Sequence, residues 1–257
     1  MRKIVKNPLF VLAAGCLVVL GSSIGATRAA FVYKSAAEEV DFHTSNVKVA
    51  LLEGTKESDV KDVSDEAVLS FPGIPEEDVK IGQEYPEVVS VKNTSNQYKE
   101  YIRVTVKKFW VKTDEDGQLE KDTSLDPSLI KLDIDKTNGK WFEDTTAETA
   151  EEEVYYLPSP VECQEVVPLI KGVTISNKVV TAVETKNATD NDGNAISGTI
   201  EDTYIYDGGS FYVDVKVDAV QSHNGAKAMC GAWGVDAKCD AEDDGNIISI
   251  NGVSASN

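Results

Sequence analysis

The chain has 257 residues, with 44 Asp and Glu against 25 Lys and Arg, and a formal net charge of −19 at pH 7. This acidity argues against nucleic-acid binding, which depends on a basic surface. The hydrophobic content of 41% is enough for a sizeable core. An all-β domain can exceed 200 residues. We therefore predict one domain after the N-terminal signal described next.

The first 29 residues have the three zones of a secretory signal: a basic head, an apolar run over residues 9–20, and a stretch of small residues. The small-residue junction places the predicted cleavage between Ala29 and Ala30. A permanent membrane anchor is the alternative, because residues 9–26 are close to spanning length. We predict a signal helix within residues 1–29, membrane contact only before cleavage, and a secreted product.

From Ala30 onward, apolar and polar residues alternate with period two, which predicts half-buried strands. The clearest case is residues 211–219, where apolar residues occupy every odd position. The predicted strands lie around residues 31–33, 40–42, 47–51, 88–91, 98–112, 129–134, 154–157, 166–175, 211–219 and 247–250. No segment keeps a 3.6-residue apolar period, so helix is a minor component. These patterns predict an all-β jelly-roll sandwich over residues 30–257, with long acidic loops.

The connections between these strands are predicted as follows. Residues 88–91 and 98–112 flank a polar Asn-rich turn and predict a central hairpin. Residues 54–80 are a long acidic loop with a short helix around residues 65–69. Residues 185–197 are a polar loop, and residues 226–233 form a helical turn.

The residues that carry chemistry in other proteins form no recognisable motif here. His43 and His223 are the only two histidines, and neither an HExxH nor a GxSxG motif is present. Asp190, Asp192 and Asn194 have alternating spacing, but Gly193 comes too early for an EF-hand, and an Asx turn is the preferred interpretation. We predict no catalytic residue, no metal site and no cofactor.

Cys230 and Cys239 enclose eight residues and would close a short loop as a disulfide in an oxidising compartment. Two reduced, partly buried thiols are the alternative. The sequence leaves both states open.

Five segments of the chain resemble the TasA/camelysin family of secreted bacterial proteins, which are exported with a dedicated SipW-type signal peptidase. They are residues 25–31 (GATRAAF), 89–94 (VSVKNT), 211–219 (FYVDVKVDA), 221–225 (QSHNG) and 232–235 (AWGV). The resemblance implies a jelly roll and, as in the fibre-forming members, assembly of an extracellular matrix. It also implies that the mature N-terminal segment completes the sheet of the next subunit. The donor would be residues 30–40, with Phe31 and Tyr33 as anchors; the alternative is an ordinary first strand within its own subunit.

These observations predict a non-enzymatic structural subunit of the cell surface or extracellular matrix that forms a homo-polymer. One alternative is a camelysin-like metallopeptidase, although the chain lacks a recognisable zinc motif. Another is a monomeric surface binding module with a tryptophan platform at Trp110, Trp141 or Trp233, although a core role is the preferred interpretation of each.

Overall fold

The protein is built from β-strands that form two large sheets, a separate hairpin and a small C-terminal sheet. The computed structural model describes residues 48–75, 79–114, 117–137, 140–189 and 195–255. All of them belong to one compact unit, His43–Asn257. The predicted all-β class with little helix is confirmed.

The first large sheet is antiparallel and has the strand order β2-β1-β3-β9-β6. Its strands are β1 (Val49–Gly54), β2 (Val60–Asp62), β3 (Glu84–Asn93), β6 (Ile130–Ile134) and β9 (Val166–Ile175). A 3₁₀ turn, Pro127–Leu129, precedes β6. The inward face of β3 is apolar at alternate positions, where Tyr85, Val89 and Val91 are all buried.

The second large sheet has the order β12-β4-β8-β7, and a short strand, β5, also pairs with β4. Its strands are β4 (Glu100–Thr113), β5 (Leu119–Lys121), β7 (Phe142–Glu143), β8 (Glu152–Tyr156) and β12 (Ser210–Gln221). The β4 and β12 strands pair antiparallel from Glu100↔Gln221 to Val111↔Ser210. This long ladder is the backbone of the second sheet.

The two sheets share one apolar core, to which Val89 and Leu169 contribute from the first sheet and Val104 and Val213 from the second. The chain passes repeatedly from one sheet to the other between β3 and β12. Repeated crossing of this kind is the connectivity of a two-sheet jelly roll. The predicted sandwich is therefore present.

The predicted hairpin between residues 88–91 and 98–112 is wrong, because β3 and β4 lie in different sheets. Each strand has an apolar face. Because the two strands face each other across one core, both apolar faces are buried. The connecting residues make a hydrogen-bonded corner: the Asn93 side-chain amide donates to the carbonyls of Tyr98 and Val161, both at 3.0 Å. The polar turn thus joins two layers rather than two neighbouring strands.

The predicted polar loop at residues 185–197 is also wrong. The segments β10 (Val183–Thr189) and β11 (Ala195–Tyr204) form an antiparallel hairpin that is a sheet of its own. The side chains of Val183 and Tyr204 at its base are exposed. This hairpin pairs with neither large sheet, and its polar sequence lacks the apolar alternation that marks the other strands.

The predicted helix at residues 65–69 is wrong as well, since this segment consists of turns and bends. In contrast, the predicted helical turn near residue 226 is confirmed as helix α2 (Gly225–Trp233), while a single turn, α1 (Lys178–Thr181), follows β9.

Helix α2 and three short strands cover part of the outer face of the second sheet. The strands are β13 (Ala237–Cys239), β14 (Ile247–Ile250) and β15 (Val253–Ser254). They form a second apolar cluster in which Met229 and Ile250 pack with Tyr101 and Tyr156 of the sheet. The helix approaches the sheet so closely at Gly225 that an added Cβ would lie 2.2 Å from Tyr101 Cε2.

Candidate functional site

Among the described residues, strand β12 has a neighbouring strand along only one of its two edges. Antiparallel pairing makes backbone groups point alternately to the two sides of a strand. The Ser222 N–H donates to the Lys99 carbonyl at 3.0 Å, so even-numbered residues face β4 and odd-numbered residues face outward. On the outward side, the Val213 carbonyl accepts one hydrogen bond, from the Leu69 N–H at 2.9 Å. In the part of the chain that the structure describes, residues 215–219 make no backbone hydrogen bond on this side.

The side chains along this open edge are apolar and incompletely covered. Val215, Val217 and Ala219 pack against the core but are only half-buried. The equivalent residues of the neighbouring strand β4, Val104 and Val106, are 0% exposed. A strand added beside β12 would therefore both satisfy backbone groups and cover apolar surface.

Residues 63–71, here called the strap, reach from β1 to the first half of this edge. The Val63 N–H donates to the Leu51 carbonyl at 2.8 Å, and Leu69 provides the bond to Val213. The end of the strap is held by the Glu53 carboxylate, which accepts hydrogen bonds from the Ser70 N–H at 2.7 Å, the Ser70 hydroxyl at 2.9 Å and the Phe71 N–H at 2.8 Å.

A second buried carboxyl lies beside Glu53. Glu87 on β3 is 0% exposed, and neither of its carboxyl oxygens has a hydrogen-bond partner among the described residues. Burial is the main cause that raises the pKa of Glu87 to about 9, and the neighbouring Glu53 carboxyl raises it further. Glu87 is therefore neutral at pH 7.

An apolar cleft of about 480 Å³ opens next to the strap, at the beginning of β12. The aromatic rings of Phe71 and Phe211 meet edge to face at 5.1 Å, and Trp110 and Tyr206 do so at 5.0 Å. All four line the cleft together with residues from α1 and the segment after the strap. The dimensions and lining suit an aromatic or large aliphatic side chain.

A third buried carboxylate, Glu100, lies at the opposite end of the β12 edge, where β4 pairs with Gln221. It accepts a hydrogen bond from the Lys48 N–H at 3.1 Å. Burial raises the pKa of Glu100 to about 7, against the lowering effect of that hydrogen bond. The start of β1 is thus fixed beside the far end of β12.

Sequence analysis overlooked these three glutamates as site residues. Glu53 has the same parity as Val49 and Leu51, and Glu87 has the same parity as Tyr85 and Val89, so both stand at inward positions of their strands. A glutamate at an inward, otherwise apolar strand position is the sequence signal that could have identified them. The many other acidic residues of the chain made this signal hard to recognise.

Several predicted residues lie outside the described part of the chain. They are Ala29, Ala30, Phe31, Tyr33 and the rest of the proposed donor at residues 30–40, as well as the signal segment, His43, Asp190, Asp192 and Asn194. The interpretations that rest on these residues stay predictions. Among the described residues, no helix is long and apolar enough to cross a membrane.

His223 and the cysteines do lie in the described part. His223 is exposed and its Nδ1 lies 2.7 Å from Asp243 Oδ1. Over the residues with described structure, no group of three or more His, Cys, Asp or Glu could hold a metal ion. Cys230 on α2 and Cys239 on β13 are free thiols, the reduced alternative of the two states. The disulfide between them stays a prediction for an oxidising compartment.

The burial of two tryptophans confirms the preferred core role and excludes an exposed binding platform at these two positions. The indole N–H of Trp110 donates to the Asp126 carbonyl at 2.9 Å, and that of Trp141 donates to the Pro168 carbonyl at 2.6 Å. Both are core residues.

Trp233 is half-buried at one end of a polar groove on the outer face of the second sheet. The Arg103 guanidinium lies 5.2 Å from its ring centre and also pairs with Asp218 at 2.7 Å. In the same groove, Lys107 pairs with Glu152 at 3.3 Å. Such internally paired charges are ordinary on a solvated sheet face.

Comparisons with known proteins do not place the chain in a family. No family model matches it. No curated protein matches it either. Among solved structures, it is similar to the pilus backbone protein RrgB from Streptococcus pneumoniae, with 8% identity, 78% of this chain and 91% of the other covered, and a TM-score of 0.26. A TM-score this low does not establish a common fold.

Proposed function

We propose that this protein is a secreted, non-enzymatic structural subunit of the cell surface or extracellular matrix, and that copies of it polymerise by strand addition at β12. The observation that carries the proposal is the open edge at residues 215–219, whose inward side chains are apolar and half-buried. An exposed edge of this kind is a template for pairing with another chain.

The proposed donor is the segment at residues 30–40 of a second copy, freed when a dedicated signal peptidase cuts between Ala29 and Ala30. It has eleven residues, and β12 has 12, so an extended donor would match the acceptor in length. Phe31 and Tyr33 alternate with Val32 and Lys34, which directs the two aromatic side chains to one face. That face would cover the half-buried residues of the edge.

The test compares the exported chain, residues 30–257, with a variant that lacks residues 30–40. Light scattering and electron microscopy are expected to show polymers of the first and monomers of the second. A synthetic peptide of residues 30–40 should bind the shortened variant and should slow polymerisation of the intact chain. Replacing both Phe31 and Tyr33 by Ser should weaken both effects, whereas Lys34→Ser, on the other face, is the matched control.

Polymerisation that survives deletion of residues 30–40 would contradict strand donation. A monomeric intact chain would favour the alternative, pairing of the segment within its own subunit. Stoichiometric zinc together with chelator-sensitive casein cleavage would overturn the non-enzymatic assignment in favour of a metallopeptidase.

A further inference from the structure

We propose that the strap, residues 63–71, is a displaceable guard of the β12 edge: Glu53 holds it in place, and the incoming strand of a second copy replaces it. This inference rests on the proposed function, because it concerns access to the same acceptor edge. It adds a step that precedes strand addition and assigns that step to named residues.

The strap is attached to β12 by a single backbone hydrogen bond. The Leu69 N–H donates to the Val213 carbonyl, and no other strap residue bonds to β12 among the backbone bonds of the described residues. A regular antiparallel neighbour would make such bonds at every second residue. At β12 itself, an incoming strand therefore breaks one backbone hydrogen bond and can form several.

The main attachment of the strap is to a side chain. The three hydrogen bonds at Ser70 and Phe71 all end on the Glu53 carboxylate. Hydrogen bonds to a charged acceptor are stronger than those between neutral groups. The Glu87 carboxyl is buried beside it. The side-chain hydrogen bonds of the strap's held end thus all depend on one residue, Glu53.

The strap also contains a strained residue at its held end. Phe71 has φ = 52°, in the left-handed region that is unfavourable for a bulky side chain. Its ring packs against Phe211 at the start of β12. Release of the strap would relieve the backbone strain, which lowers the barrier to displacement.

Displacement of the strap would lengthen the acceptor. Freeing Val213 extends the open edge from residues 215–219 to the beginning of β12, because Phe211 and Val213 also point their backbone groups outward. The extended edge reaches the apolar cleft, where Phe211 and Trp110 stay in place when the strap leaves. An aromatic anchor of the donor, Phe31 or Tyr33, then takes the place that Phe71 vacates.

The experiment uses Glu53→Gln in the exported chain and measures hydrogen exchange of the Leu69 and Phe71 amides together with the rate of polymerisation. Loss of the charged acceptor should make exchange at both amides about tenfold faster. Polymerisation should become several-fold faster. Glu57→Gln, which makes the same charge change at an exposed position, is the control and should alter neither.

Exchange is measured on monomer, and it is repeated in the variant that lacks residues 30–40. If Glu53→Gln also speeds exchange in this shortened chain, which does not polymerise, then release of the strap is independent of strand donation. If Glu53→Gln does not fold, Ser70→Ala removes only the hydroxyl bond and should raise exchange about threefold. Unchanged exchange in a folded Glu53 or Ser70 variant overturns the proposal. Faster exchange with unchanged or slower growth of a polymerising chain also overturns it.

Discussion

Strands β4 and β12 lie side by side and have nearly the same pattern, yet they differ in burial. Residues 102–106 read IRVTV and residues 213–217 read VDVKV, with apolar side chains inward in both. Val104 is 0% exposed, whereas Val217 is half-buried. The cause is position in the sheet: β4 has β12 on one side and β8 on the other, whereas β12 has a strand on one side only within the described part of the chain. Alternation sets which face is apolar, and neighbours set how far it is covered.

The largest expected difference comes from proline at adjacent positions of β12. Lys216→Pro removes an N–H that faces β4 and should destabilise the protein by about 3 kcal/mol, because a ladder bond is lost. Val217→Pro removes an outward N–H, so its cost should be about 1 kcal/mol, as at other sheet edges. Only the second variant should be folded but unable to polymerise. Urea unfolding and light scattering measure the two effects, and equal destabilisation would show that the edge is not open.

A matched pair of truncations compares the two strands directly. Val104→Ala leaves a cavity in a fully buried position and should cost about 2 to 3 kcal/mol. Val217→Ala removes the same atoms from a half-covered position and should cost about 1 kcal/mol. Denaturant unfolding of both variants checks this. If a second copy covers Val217, the loss of stability caused by Val217→Ala should be larger under polymerising conditions.

The carboxyl pair beneath the strap predicts a dependence of stability on pH. The pKa of Glu87 is about 9 in the folded protein, compared with 4.5 for an ordinary glutamate. The folded state binds this proton more tightly than the unfolded chain does. The stability that the bound proton contributes is therefore fully present below the lower pKa, and it is lost as pH rises through the higher pKa. The free energy of unfolding should therefore fall as the pH rises from 5 to 9.

Glu87→Gln should remove most of that fall, since the amide does not titrate. Glu57→Gln, at an exposed position, should leave it unchanged. Thermal unfolding over the same pH range makes the comparison. A wild-type chain and a Glu87→Gln variant with parallel pH profiles would rule out a raised pKa for Glu87.

The smallest expected effect lies on the outer face, where Arg103 of β4 pairs with Asp218 of β12. Both side chains are about one-fifth exposed, at 20% and 22%. The coupling energy should be about 1 kcal/mol, including the contact of Arg103 with Trp233. A double-mutant cycle with Arg103→Ala and Asp218→Ala measures it. A coupling of several kcal/mol would show that the outer face, and not the core, joins the two strands.

Much of the fold was predictable from the sequence because strands carry their own signal. Alternation located β3, β4, β8, β9 and β12 within a few residues, and it showed that the protein is all-β. The candidate site was predictable only in part: the apolar face of β12 is visible in its pattern, but its missing neighbour is not. The buried Glu53 and Glu87 were hidden because they share a residue type with the many exposed acids.

The sequence by itself determined that the long core segments are strands and which face of each is apolar. Tertiary structure alone decided that β3 and β4 face each other across the core, that residues 183–204 form a separate hairpin, and that β12 is an edge among the described strands. The physical reason is range. Side-chain alternation is a local property of an extended backbone, whereas strand partners are chosen by contacts between segments that are distant in sequence and compete for the same core.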